Sequence, residues 1–281
     1  MVDAPPAATP LACSSTPPES PEVPVEVTKL QLPLACRTAN GEPRTIRISG
    51  LQFQADRLGG NLAAAGHTTG SAQWPAGVLL AEYLCNELGP SRLAGKCVAE
   101  LGGGLGLCSI AAAAVCGPTG FVLMTDGDQN TVDKAARHAE LNREPSLDAP
   151  IMCRTLWWGS DEQARALLPA GRRGFDLVIG SDLLYEKDGA EQRARALAES
   201  AVALLDREAP NAAFVYALER RLVPESLLID RMAELGFECE TVAGYIEDVF
   251  GSLTDHMTDF WHRRLLSFRP NPTWQRESES R

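Results

Sequence analysis

The chain has no surplus of positive charge. Its 26 Lys and Arg stand against 37 Asp and Glu, a formal net charge of −11. A protein that binds nucleic acid by neutralising phosphates needs a basic face, so that class of partner is not expected. No stretch reaches the roughly 18 apolar residues that a membrane span requires. The longest candidate, Leu105 to Val115, is broken by Gly106 and Ser109 and reads as a core helix. Histidine is scarce, at four residues, and none of the eight cysteines forms a C-x-x-C pair, so no zinc spacing arises and no metal site is expected. The cysteines read as buried, reduced thiols and the histidines as surface or internally satisfied side chains. The first residues have neither a basic start nor an apolar core of the secretory kind. A soluble, cytoplasmic protein is therefore expected, with the nucleus also open to it in a eukaryote. What is present is 44% apolar residues, enough for a sizeable core.

Residues 1–24 are crowded with Pro, Ala, Ser, Thr and Glu and have no apolar period, which predicts a disordered tail. Residues 25–60 carry short β runs around Asn40-Gly41, a dipeptide that tolerates the positive φ of a hairpin turn, and predict a small β appendage. The main domain is expected over 61–269, followed by a polar tail over 270–281. Inside it, short continuous apolar runs alternate with helical patterns. Strands are predicted at Cys97–Leu101, Gly120–Thr125, Ile151–Leu156, Phe175–Ser181, Ala212–Leu218, Phe237–Val242 and Arg263–Phe268, with helices between. Such alternation implies a doubly wound, mostly parallel α/β sheet with both faces covered.

The sharpest local signal is Glu100-Leu101-Gly102-Gly103-Gly104-Leu105-Gly106-Leu107, between a predicted strand and helix. Glycines there let the backbone turn tightly and approach a ligand closely. A dinucleotide fingerprint G-x-G-x-x-G would need glycine where Leu107 stands, so a pyrophosphate ligand is disfavoured. Glu100 suits a cationic amino or sulfonium group. The next strand ends at Asp126, whose carboxylate can accept from both hydroxyls of a ribose. Asp128 reads instead as a helix N-cap. At the third strand's end, Trp157-Trp158-Gly159 offers an indole to an adenine ring, with Trp158 as the cofactor-facing one.

These stretches, with Thr69-Gly70-Ser71-Ala72-Gln73-Trp74-Pro75-Ala76 upstream and Phe175 to Tyr185 downstream, resemble the seven-β-strand protein lysine methyltransferases of methyltransferase-like family 16. The markers run from about Thr69 to Tyr185. The D-x-x-Y sequence Asp182–Tyr185 and the upstream Trp-Pro are the particular ones. The resemblance implies a seven-stranded Rossmann-like sheet and S-adenosylmethionine as cofactor. It implies a cofactor site made by Trp74, Glu100, Gly102, Gly104, Asp126, Trp158 and Ser181. It further implies that Asp182 and Tyr185 line a channel for the lysine of a protein substrate. The doubled tryptophan leaves two registers for that position.

Free lysine has a pKa of about 10.4, so the amine must lose a proton before it attacks a methyl group. A narrow aromatic channel favours the neutral amine by desolvation. Asp182 is expected first to position the amine, and Tyr185 to supply a ring wall and a hydroxyl. Other readings stay open: a methyltransferase of the same fold acting on another protein side chain or a small molecule, and a binding module without catalysis.

Overall fold

A computed structural model describes residues 29–37, 43–49, 51–52, 69–219, 223–248 and 262–272. The tail expected over 1–24 and the Asn40-Gly41 turn lie outside the described residues; of the polar tail expected over 270–281, Pro270 is the last residue of a strand and residues 273–281 lie outside the described residues. Among the described residues four strands precede the central sheet: β1 (Lys29–Arg37), β2 (Pro43–Ser49), and β3 (Leu51–Gln52) paired parallel with β4 (Ala72–Gln73). The central element is a seven-stranded sheet. Its strands are β5 (Cys97–Leu101), β6 (Phe121–Asp126), β7 (Ile151–Thr155), β8 (Leu177–Ser181), β9 (Ala213–Glu219), β10 (Phe237–Asp248) and β11 (His262–Pro270). They lie in the order β10-β11-β9-β8-β5-β6-β7. The five from β9 to β7 run parallel, and β11 pairs antiparallel with both of its neighbours. The alternation predicted from sequence is present; the reversed direction of β11 was not part of it. β10 and β11 are consecutive and adjacent, and antiparallel pairing needs no helical crossover.

The helices are α1 (Pro75–Glu82), α2 (Gly89–Leu93), α3 (Leu107–Cys116), α4 (Gln129–Asn142), α5 (Asp161–Ala166), α6 (Ala190–Leu204) and α7 (Ser226–Glu234). Side chains that alternate along β5 go to different faces. Val98 joins the core beneath α1 and α3, whereas Cys97, Ala99 and Leu101 join the core with α6 and α7. The chain leaves β5 towards α3 on one face and leaves β8 towards α6 on the other. A crevice must open between the carboxyl ends of those neighbours, which is where ligands bind in open α/β sheets. On the second face Phe214 stacks on Phe268, with ring centroids 5.7 Å apart, and so ties β9 to the reversed β11.

α3 has no polar face: Leu-Cys-Ser-Ile-Ala-Ala-Ala-Ala-Val-Cys is buried at every position. A helix apolar all round needs cover on every side. The sheet supplies one side, and the antiparallel pair β1 (Lys29–Arg37) and β2 (Pro43–Ser49) packs over α3 on the other. Along β2 the period is two. Ile46 and Ile48 are buried in the same core as α3, while Thr45 and Arg47 face outwards. Asn142, the last residue of α4, holds this strand as a neighbouring strand would: its side chain accepts from the Arg47 N–H at 2.7 Å and donates to the Arg47 carbonyl at 2.7 Å. The hairpin is thus part of the cover of the core. Ile46→Ala is expected to lower unfolding stability by about 2 kcal/mol or more in urea titration; a change below ~0.5 kcal/mol would mean that the hairpin covers nothing.

Candidate active site at the switch point

The glycine loop leaves β5 with Gly102 at φ 60°, Gly104 at φ 53° and Gly106 at φ 83°, all in the left-handed region. At Gly102 a Cβ would also press on the end of the Leu183 side chain, which would have to shift. Glycine meets both demands without strain. The loop is held against the tip of the next strand. The Gly103 N–H donates to the Thr125 carbonyl at 2.8 Å, and the Gly104 N–H donates to Asp126 Oδ2 at 3.1 Å. The other oxygen of Asp126 accepts from the Asp128 N–H at 3.1 Å. An ionised carboxylate offers about four acceptor positions, the number a vicinal diol and these backbone donors would share. Burial pushes the Asp126 carboxyl above its ordinary range, with the Asp128 charge adding to it and the backbone N–H groups opposing. Asp128 itself is the N-cap of α4, accepting from the Thr131 N–H at 2.9 Å and the Thr131 hydroxyl at 2.7 Å. The hydroxyl bond leads in holding it below the usual carboxylate range.

Glu100 is placed differently from the expectation that it faces a ligand. It lies on the same side of β5 as Val98, so its side chain runs beneath α3. There it is 2% exposed and accepts from both the N–H and the hydroxyl of Ser109. A carboxylate in the first turn of a helix complements the unpaired N–H groups and the dipole. Burial nevertheless dominates and pushes its pKa up to about 7, against the Ser109 bonds. The N-terminus of α3, where a dinucleotide's pyrophosphate would sit, is therefore already occupied by an acid from within.

At the end of β8, Ser181 is followed by Asp182, buried and with φ 55°. Aspartate tolerates that region better than most residues do. The turn is pinned from β9. The Asp182 N–H donates to the Ala217 carbonyl at 2.9 Å, and the Tyr216 hydroxyl accepts from the Leu183 and Leu184 N–H groups at 2.9 and 3.2 Å. Three residues on, the Tyr185 hydroxyl meets Thr69 Oγ1 at 3.1 Å. The Thr69 carbonyl in turn accepts from Trp74 Nε1 at 3.0 Å, just before Pro75 opens α1.

These elements enclose a cleft of about 680 Å³. Among its lining are Trp74, Gly102, Gly104, Asp126, Trp158, Ser181, Asp182 and Tyr185, brought together from five separate stretches. Glu100 does not line it. Both tryptophans do. Trp158 is half-buried near Gly102, while Trp157 is 65% exposed with its ring over Gly127. Sequence reasoning assigned no site role to Thr69, Trp157, Gln192 or Arg193, which also line the cleft. Thr69 lay within a quoted motif and Trp157 beside the chosen indole, whereas Gln192 and Arg193 on α6 carry no local signature. Among the described residues that line the cleft, Asp126, Asp128 and Asp182 are acidic and Arg193 alone is basic, paired with Glu186 at 3.2 Å. The cleft thus suits a cationic ligand.

Residues 62–235, more than half of the sequence, match the model of a family described as lysine methyltransferase. The chain belongs to that family. Among curated relatives of this lysine methyltransferase family member, the protein-lysine N-methyltransferase EFM3 of Saccharomyces cerevisiae is 33% identical over 138 residues, covering 45% of this chain and 38% of that protein. The calmodulin-lysine N-methyltransferase of Arabidopsis thaliana is 29% identical over 125 residues, covering 44% and 38%. The chain thus spans well under half the length of these relatives. Among solved structures, magnesium protoporphyrin IX methyltransferase from Synechocystis PCC 6803 with bound SAM gives a TM-score of 0.45 at 17% identity, covering 69% of this chain and 78% of that one.

The position of Glu100 fixes a pH dependence. A carboxyl raised in the folded state contributes stability that is fully present below its unfolded value, about 4.5, and is lost as pH rises through about 7. Urea unfolding of the wild type and Glu100→Gln at pH 5 and pH 8 isolates this effect, because other acids cancel in the difference. The wild type should lose a few kcal/mol relative to the variant between the two pH values. Parallel curves would show that Glu100 is not held protonated by burial.

Proposed function

We propose that this chain is an S-adenosylmethionine-dependent methyltransferase that transfers a methyl group to a lysine side chain of a protein. One observation carries this reading: a single cleft holds the glycine loop and Asp126 beside the Asp182–Tyr185 turn. The residues present fit the cofactor. Asp126 lines the cleft with a carboxylate that can accept from a ribose diol, and Gly102 and Gly104 leave room for close approach. Trp158 and Trp157 offer flat apolar surface to an adenine, and the acidic lining suits a sulfonium. The acid already under α3 fits a ligand without phosphates.

When bound, S-adenosylmethionine supplies a methyl group made electrophilic by its positive sulfur. The chain's own residues must then bring in an amine, strip it of water and align it. The Tyr185 ring forms one wall of the entrance, and desolvation against it favours the uncharged amine. The buried carboxyl group of Asp182 accepts a hydrogen bond from the amine and so orients its lone pair. Most of the rate then comes from alignment of nucleophile, methyl and leaving sulfur. We assign this work to a domain over residues 61–269, with 25–60 as a β appendage to it. The compartment is taken to be the cytoplasm, with the nucleus also open in a eukaryote. No helix among the described residues is long and apolar enough to cross a membrane.

Calorimetric titration with S-adenosylmethionine, with NAD in parallel, tests the cofactor. Binding of the first alone is expected, and equal binding of NAD would overturn it. Asp126→Ala should weaken that binding about tenfold or more, as loss of charge-assisted bonds does. Asp182→Asn keeps a residue that tolerates positive φ. It should cut radiolabelled methyl transfer to lysine-bearing peptides at least ~100-fold with cofactor affinity intact, and undiminished transfer would remove Asp182 from the mechanism. A methyl group found by mass spectrometry only on another side chain or on a small molecule would move the substrate class.

A further inference from the structure

Tyr185 is held from outside its own turn. Its ring is 39% exposed at the cleft's rim, where a phenol otherwise turns freely among rotamers. The start of the turn is rigid, pinned to β9 by Ala217 and Tyr216, but those bonds reach only as far as Leu184. The next fixed point is the 3.1 Å contact between the Tyr185 hydroxyl and Thr69 Oγ1, across 116 positions of sequence. Thr69 is itself anchored, because its carbonyl accepts from the Trp74 indole at 3.0 Å. Thr69, Trp74 and Tyr185 all line the cleft. One residue therefore joins the lip before α1 to the lip after β8.

We infer that Thr69 is a positioning residue for methyl transfer, acting through Tyr185; this rests on the functional reading above. The Thr69 hydroxyl fixes the Tyr185 ring as a wall of the amine entrance, while the Thr69 carbonyl holds the Trp74 indole. Without the hydroxyl bond the Tyr185 ring swings into solvent, water reaches the entrance, and the amine is aligned in a smaller fraction of encounters. The effect falls on the transfer step rather than on cofactor binding, since the Thr69 carbonyl bond to Trp74 survives a side-chain change.

The test compares Thr69→Val, which keeps the β-branched shape and loses the hydroxyl, with Thr69→Ser, which keeps the hydroxyl. Three readouts are taken: S-adenosylmethionine affinity by calorimetry, transfer to a library of lysine-bearing peptides, and hydrogen exchange of the amides over 184–187. Thr69→Val should lower kcat about 3- to 10-fold, the worth of one net hydrogen bond, and speed exchange. Cofactor affinity should stay within about threefold, and Thr69→Ser should restore the wild-type values. In a Tyr185→Phe background Thr69→Val should add nothing, because the shared bond is already gone. Additive losses in that cycle, or wild-type kcat and exchange in Thr69→Val, overturn the inference. A wild-type protein that binds no S-adenosylmethionine overturns the functional reading itself, and the exchange comparison would still show whether the bond holds the turn.

Discussion

The site depends on one topological constraint: β5 and β8 are neighbours whose chains leave for opposite faces of the sheet. Between them no backbone can close the crevice, and everything that forms the site is a way of lining it. The β5 side turns towards α3 through three left-handed glycines. The β8 side turns towards α6 through Asp182, itself left-handed. Where these turns face each other the space is limited, and a Cβ on Gly102 would collide with Leu183. The glycine loop and the D-x-x-Y turn are two halves of one packing problem, and a larger residue in one would push on the other.

Electrostatics points the same way. Burial raises Glu100 and Asp126 above their ordinary values, and Asp182 is buried nearby. Desolvating several acids around a cavity disfavours the folded protein unless something offsets it. Glu100 is offset from within, by the N-terminus of α3. For Asp126 the backbone N–H groups of Gly104 and Asp128 do part of this. A cationic ligand in the cleft would do more, by favouring the ionised acids. A sulfonium and a lysine amine are such ligands, whereas a pyrophosphate would add charge of the wrong sign.

The parts of the candidate site that are legible in the sequence are those in which one short stretch both builds the turn and supplies the lining residue. Gly102 and Gly104 follow β5 closely, Asp126 ends β6, and Asp182 and Tyr185 lie within four residues of a strand end. Asp128 was legible as an N-cap because the cap and its partner Thr131 are local. Glu100 was misplaced for a reason the sequence did contain. Period-two alternation puts it on the face of Val98, beneath the helix that follows, and not at the strand's tip. The pair Trp157-Trp158 hid a similar alternation, with one ring out over Gly127 and the other against Gly102. Nothing local marks Gln192 or Arg193, which reach the cleft only because α6 crosses the sheet. The wide π turn at Tyr83–Leu88 that extends α1, and the reversed direction of β11, are likewise tertiary outcomes.

The hairpin shows how cover far from the chemistry bears on it. α3 carries the glycine loop at one end and is apolar throughout, so its position is set by whatever buries its outer face. Ile46 and Ile48 do so, and the Asn142–Arg47 backbone bonds fix where they sit. Asn142 ends α4, whose other end is capped by Asp128 beside Asp126. A strained hairpin would therefore act on the cleft along two helices at once, tilting the loop that follows β5 and the cap that follows β6. The acid and the glycines are joined directly by the Gly104 and Gly103 N–H bonds, and the two helices behind them rest on the same two-stranded cover.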